Sequence, residues 1–173
     1  MAVMDVLLYP DAPLTESASP VVKFGAELKQ LASDMLETME SHLGVGLAAP
    51  QVGVRRRLIV LCEPDGEPLC LANPEIIEMD GTTYGEEGCL SLPDIFAAVP
   101  RAARIRVRAQ DLDGDTVDFE ATDFLARIIQ HEYDHLQGKV FPERLDALTR
   151  DAVFKEWDVV RARLLAPSPG PAR

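Results

Sequence analysis

The stretch IIQHEYDHLQG, residues 128–138, constrains this chain more than any other. Its two histidines, His131 and His135, are four residues apart. On a helix that spacing puts both on one face, with Cβ atoms about 5–6 Å apart. From there two imidazoles can reach one metal ion at roughly 2 Å. Glu132 follows the first histidine and lies beside the ligand face, where it can serve as general base and then general acid. An accidental surface pair is the plain alternative. Against it, the pair falls in an apolar run containing Phe124, Leu125, Ile128, Ile129 and Leu136. Burying two histidines beside a glutamate and an aspartate is unfavourable unless they have a task.

Two histidines do not hold a catalytic ion, which takes three protein ligands and keeps a fourth position open. No histidine follows His135, and Glu143 and Glu156 have no diagnostic spacing. Upstream, Cys89 stands at the centre of YGEEGCLSLP, residues 84–93. Gly85 and Gly88 are expected to take unusual backbone angles there, and Pro93 to cap a short apolar segment. Thiolate is a strong ligand for divalent iron or zinc, and the metal keeps it deprotonated. Cys62 and Cys70 compete for the role, but both lie in strand-like apolar runs and read as inert buried thiols. A third block, GVGLAAPQVG (44–53), has glycines around Val45 that let the backbone approach something closely. Gln51 is its polar group, and on spacing alone it is either functional or a loop glutamine bonded to backbone.

The rest of the chain supplies the frame. Residues 5–21 read as an extended lead-in, rich in proline, serine and threonine. A helix is expected from about residue 22 to 43, with Leu28, Leu31, Met35 and Met39 as core fillers on one stripe and Gly44 at its end. Residues 56–62 and the run LCLANPEII are strand candidates. Residues 103–122 form the clearest hairpin, with Ile105, Val107 and Ala109 alternating with solvated Arg104, Arg106 and Arg108. A central helix over 123–138 carries the histidines, with Thr122 or Asp123 as N-cap, and a C-terminal helix spans about 149–165. The tail, 166–173, is expected to fray. The order of a helix, many strands and two more helices implies an α+β fold with mainly antiparallel sheets, in one domain over residues 1–173.

Charge and composition exclude several classes. A net charge of −12 argues against binding DNA or other nucleic acid. No apolar run approaches the roughly 20 residues that span a bilayer. The N-terminus has no basic region, and Asp5 and Pro10 interrupt its apolar stretch, so it does not read as a signal peptide. Three cysteines without an export signal imply reduced thiols and a cytoplasmic location.

GVGLAAPQ, EGCLS and QHEYDH, in that order, closely resemble the three motifs of the peptide deformylases. The resemblance extends over almost the whole chain. It implies that Cys89, His131 and His135 are the ligands of one divalent metal, typically Fe(II), with zinc, nickel or cobalt as substitutes. It implies Glu132 as the acid/base, metal-bound water as nucleophile, and the Gln51 side-chain amide and Leu90 backbone N–H as oxyanion donors. The substrates would be nascent polypeptides beginning with N-formylmethionine, and the products formate and a free amino terminus. Phe124 and Ile128 precede His131 by seven and three residues. With Val45 and Gly46 they are expected to wall a narrow apolar slot for the methionine side chain.

Two positions depart from the family pattern. Arg127 stands where an aliphatic residue is usual, and Phe96 where many members have arginine. A zinc endopeptidase with the same helix would leave EGCLS and Gln51 unexplained. A catalytically inert relative that only binds metal or formylated peptides would have no reason to keep every chemical residue. Arg150, Lys155, Arg161 and Arg163 on the last helix allow a weak ribosome contact, although a solvated helix face is the preferred reading.

Overall fold

The computed structural model describes residues 2–167 and 170. The expected fraying of the tail falls mostly on residues outside those described. Among the described residues no helix is long and apolar enough to cross a membrane.

Helical spacing of apolar side chains builds α1, Ala26–Ser41, which buries Leu28, Ala32, Met35 and Met39. It begins four residues later than its composition implies. Val21 is stitched to Asn73 instead: its N–H donates to Asn73 Oδ1 at 2.8 Å, and its carbonyl accepts from Asn73 Nδ2 at 2.9 Å. Backbone engaged in that way is not free to start a helix. The far end also differs from expectation. Leu43, not Gly44, takes the left-handed conformation, at φ 57°, while 94% exposed. Gly44 instead makes room for Leu90, whose Cδ1 would lie 3.1 Å from an added Cβ.

The strands are β1 (Gly46–Ala48), β2 (Leu58–Leu61), β3 (Leu69–Asp80), β4 (Thr83–Cys89), β5 (Leu92–Arg101), β6 (Arg104–Gln110) and β7 (Thr116–Thr122). Five form an antiparallel sheet in the order β1-β2-β3-β6-β7, while β4 and β5 pair separately. In the β6–β7 hairpin, Ile105, Val107 and Ala109 face the core, opposite Ala121, Phe119 and Val117. Arg104, Arg106 and Arg108 point to the wet face, pairing with Glu120 and Asp118. Exposed pairs of this kind contribute about 0–1 kcal/mol each.

Helix α2, Asp123–Leu136, lays Ala126, Ile128, Ile129 and Leu136 onto the sheet, against Leu61, Leu71, Ile105, Val107 and Ala121. Burying each large aliphatic side chain contributes about 1.5–3 kcal/mol. That packing fixes the face the histidines occupy. Thr122 stands at the N-cap without a side-chain bond, and Asp123 N–H donates to Ala103 O at 2.9 Å. Helix α3, Ala147–Leu165, starts two residues earlier than expected because Asp146 caps it, its Oδ1 accepting from Thr149 N–H at 2.9 Å. Trp157 and Val153 of α3 close a second core with Ile95, Val99 and Phe141.

The lead-in is extended only in part, because residues 9–16 form turns. It passes beneath the loops of the future site, with Leu7 N–H on Gln51 O at 2.7 Å and Tyr9 N–H on Ser91 O at 3.0 Å. The α+β expectation is met: three helices on mainly antiparallel sheets, with the histidine helix in the middle.

Candidate metal centre

Cys89 ends β4, at the mouth of a tight connection through Leu90 and Ser91 into β5. His131 and His135 come from the buried face of α2. The two elements meet so that one ligand atom from each of the three residues lies within 4.8 Å of the others. Cys89 Sγ is 3.4 Å from His135 Nε2. His131 turns its Nδ1 away, onto Glu87 Oε1 at 2.8 Å, which leaves Nε2 for the cluster. Among the described residues this is the candidate site for one metal ion.

Electrostatics suit a soft divalent cation. Burial pushes the Cys89 thiol up, but the charge of His135 and hydrogen bonds from His131 and His135 bring it down to about 5. Burial acts against protonated His131, yet its contacts with Cys89 and Glu87 raise it well above the usual histidine range. A thiol whose pKa is held low, two buried imidazoles and a carboxylate behind one of them make a donor set for zinc or ferrous iron. Glu132 is buried with Oε2 lacking a protein partner, and its Oε1 is 4.0 Å from His131 Nε2. Burial raises its pKa, against the pull of the two histidine charges. Such a carboxyl is poised to take up and return a proton.

The glycine block now has its explanation. A Cβ at Gly46 would lie 2.6 Å from Glu132 Oε1, so the close approach inferred from the sequence is between β1 and the Glu132 carboxyl. Gln51 makes the backbone bond that its loop reading implied and also turns its amide towards the cluster. Its Oε1 accepts from Ala48 N–H at 2.9 Å, while Nε2 is 3.2 Å from Ser91 Oγ and 3.5 Å from Cys89 Sγ.

A cavity of about 550 Å³ opens over the cluster. It is lined by Val45, Gly46, Gln51, Cys89, Leu90, Phe124, Ile128, His131 and Glu132, among others. Val45, Gly46, Phe124 and Ile128 thus meet on one cavity, though Phe124 is 44% exposed and stands at its rim. Leu43 and Phe96 complete the apolar rim.

Two expectations about the cysteine block are corrected. Gly85 and Gly88 have ordinary backbone angles, since neither is among the residues at positive φ. Each is needed for space: a Cβ at Gly85 would be 2.9 Å from Arg127 Nε, and one at Gly88 would be 2.7 Å from the Phe96 ring. Pro93 does not cap a segment but lies inside β5.

Sequence periodicity did not reveal the support behind the ligands. Glu87 is buried and accepts from Arg101 through both oxygens at 2.9 Å, and from Arg127 Nη1 at 2.7 Å. Burial raises its pKa, but Arg101 and His131 outweigh that and bring it to about 2. Arg101 also donates to Asp134 at 2.6 Å, and Arg144 closes the chain on Asp134. One signal for Glu87 was available, since it precedes Cys89 by two residues and so shares its face of a strand. Cys62, Cys70 and Cys89 are all free, and burial raises the Cys70 thiol as expected of an inert one.

The family model described as Polypeptide deformylase matches residues 3–151. The peptide deformylase of Acidobacterium capsulatum is 46% identical over 159 residues, covering 90% of this chain and 94% of that protein. The fold matches the peptide deformylase of Legionella pneumophila with TM-score 0.89 at 39% identity, covering 97% of this chain and 100% of that one. It matches the Thermus thermophilus enzyme with TM-score 0.88 at 44% identity, covering 93% of this chain and 96% of that one. The three motifs, the fold and these matches over nearly full length agree, and the chain belongs to the polypeptide deformylase family.

Proposed function

We propose that this chain removes the formyl group from nascent polypeptides beginning with N-formylmethionine through the residues gathered around Cys89. The observation that carries the assignment is the convergence of Cys89, His131 and His135, ligand atoms within 4.8 Å, beneath a cavity with buried Glu132 on its wall. Those three side chains would hold one divalent ion, Fe(II) natively, with zinc, nickel or cobalt as substitutes. When bound, the ion supplies a Lewis acid and lowers the pKa of water to near neutrality.

The remaining chemistry belongs to the protein. Glu132 takes a proton during attack on the formamide and returns one to the leaving amine, a role favoured by its raised pKa. The tetrahedral oxyanion is held by Gln51 Nε2 and the Leu90 backbone N–H, both on residues of the cavity wall. Gln51 is preorganised for this, because its Oε1 is already occupied by Ala48 N–H. Val45, Gly46, Phe124 and Ile128 wall the slot for the methionine side chain. Glu87 keeps the His131 Nε2 lone pair available by accepting from Nδ1–H.

We infer one catalytic domain over residues 1–173 and a cytoplasmic location, where formylated nascent chains arise; three free thiols are in keeping with it. Arg150, Lys155, Arg161 and Arg163 serve as a solvated helix face with at most a weak ribosome contact, and Arg161 already reaches Asp11 at 3.4 Å.

The test is formate release from formyl-Met-Ala-Ser by anaerobically purified, iron-loaded protein. Wild type should release formate, and Glu132→Gln should bind the same metal content without turnover. No formate from a loaded sample would sink the assignment, and an active Glu132→Gln would remove the acid/base role.

A further inference from the structure

Arg127 carries more than the lining of a pocket. Its guanidinium is nearly buried and makes bonds to two strands at once, β4 and β5. Nη1 donates to Glu87 Oε2 at 2.7 Å, to Val99 O at 2.8 Å and to Gly85 O at 3.4 Å. Nη2 donates to Thr83 O at 3.0 Å and Thr83 Oγ1 at 3.2 Å. Thr83, Gly85, Glu87 and Cys89 are alternate residues of β4, so they share one face of the strand. Arg127 precedes His131 by four residues and so shares its face of α2. One side chain therefore grips the face that ends in the cysteine from the face that carries the histidine.

The strand needs such a grip. Pairing between β4 and β5 is regular from Thr83 to Glu87 but shifts before Cys89, which lies opposite Leu92. The ladder alone does not set where the sulfur falls relative to the histidines. Gly85 is cut to match, because any side chain there would occupy the space of the guanidinium, Nε lying 2.9 Å from an added Cβ. Glu87 is divided the same way: Oε2 is taken by Arg127, while Oε1 faces His131 Nδ1.

We propose that Arg127, seated in the notch left by Gly85, is a positioning residue that fixes the thiolate strand against the histidine helix and so sets the spread of the metal ligands. It is not one of the three clustered ligands. The inference rests on Cys89, His131 and His135 being the ligands, and its test separates the two.

The full chain is loaded with Co(II), and its affinity is read by chelator competition. The thiolate-to-cobalt and d–d absorption bands report ligand geometry. Wild type should show both bands, and loss of them in Cys89→Ser ties them to the cluster. Arg127→Leu should bind cobalt about 10–100-fold more weakly, with shifted d–d bands. Arg127→Lys, which keeps the charge with fewer donors, should recover part of both. Gly85→Ala should move the bands in the direction of Arg127→Leu by displacing the guanidinium from the other side.

A lowered melting temperature with wild-type affinity and bands would mean a structural role only, and would overturn the proposal. If Arg127→Leu fails to fold, Arg127→Lys and Gly85→Ala decide on the same readouts, and wild-type bands in both overturn it. Wild-type protein that binds cobalt without a Cys89-dependent band refutes the ligand set itself, a distinct result.

Discussion

Gly46→Ala is a one-carbon change whose effects on activity and stability should separate. The new Cβ would lie 2.6 Å from Glu132 Oε1, 2.9 Å from Cγ and 3.0 Å from Cδ. Comfortable contact needs about 3.5 Å, so something must retreat by close to 1 Å. The backbone of β1 is held in register, Gly46 opposite Leu61, and has no easy route away. Glu132 has one, because Oε2 has no protein partner and the residue borders a cavity of about 550 Å³. The carboxylate should therefore swing away from its working position. A misplacement of about 1 Å in a catalytic group costs about 10²-fold in rate, or about 2.7 kcal/mol of transition-state stabilisation. Stability responds differently. Gly46 is not at positive φ, so alanine fits its backbone and gains about 0.4–1 kcal/mol from the unfolded state. Overpacking opposes that by about 1–3 kcal/mol, at the low end where the crowded group can move into open space. Formate release from formyl-Met-Ala-Ser should fall about 100-fold in kcat, with metal content unchanged and a melting temperature within about 4 °C of wild type. Wild-type kcat would refute the reasoning outright. So would activity lost only in proportion to a collapse of the fold.

Gln51→Leu should lower kcat by about 10²–10³ while leaving the metal bound, and undiminished turnover would exclude Gln51 as an oxyanion donor. Iron-loaded protein should lose activity in air through oxidation of the thiolate–iron pair, and nickel- or cobalt-loaded protein should outlast it; stable activity in verified Fe(II) enzyme would count against Cys89 as a ligand. The Thr149 backbone N–H and hydroxyl hold the Asp146 carboxyl below its usual range. Its cap therefore stabilises fully above the unfolded-state value near 4, and the contribution is lost as pH falls through the lower folded value. Asp146→Ala should melt below wild type at neutral pH, and the gap should narrow as pH falls below about 4; a gap independent of pH would refute the capping account.

What could be read from the sequence was what short-range periodicity encodes. His131, Glu132 and His135 were legible because i, i+1 and i+4 on a helix fix a face, and the apolar run fixed which face is buried. Cys89 followed from the ligand count. Glu87 did not, because GEEG offers two adjacent glutamates and only the strand phase relative to Cys89 separates them: Glu86 is exposed and Glu87 buried. Arg101 lies 14 residues from Glu87, and Asp134 lies 33 from Arg101, so no local pattern links them. The glycines misled in a consistent way. Gly44 was expected to end a helix and Gly85 and Gly88 to permit unusual angles, and each instead leaves room for a side chain elsewhere in the chain: Leu90, Arg127 and Phe96. Absence of a side chain is visible in a sequence, whereas the neighbour that requires it is not. The start of α1 failed for a similar reason, since the competing bonds come from Asn73, 52 residues away from Val21.

The buried ionic chain behind His131 makes little sense as a stabilising device. Glu87, Arg101 and Asp134 are almost inaccessible, with Arg127 and Arg144 at the two ends. Desolvating such groups costs about what their mutual attraction returns, and apolar replacements of similar volume are often neutral or better. Fold stability alone would therefore not favour two carboxylates and three guanidiniums at this place. A metal ligand does require them. An imidazole that must present Nε2 needs an acceptor fixed at Nδ1, and a carboxylate stays fixed in an apolar interior only if its remaining lone pairs are occupied. Arg101 and Arg127 occupy them for Glu87, and Asp134, held in turn by Arg144, braces Arg101. Each added charge orients the one before it, and the series ends where Arg144 reaches solvent. Arg144, its side chain 43% exposed, is the member whose remaining donors water can satisfy without a further partner.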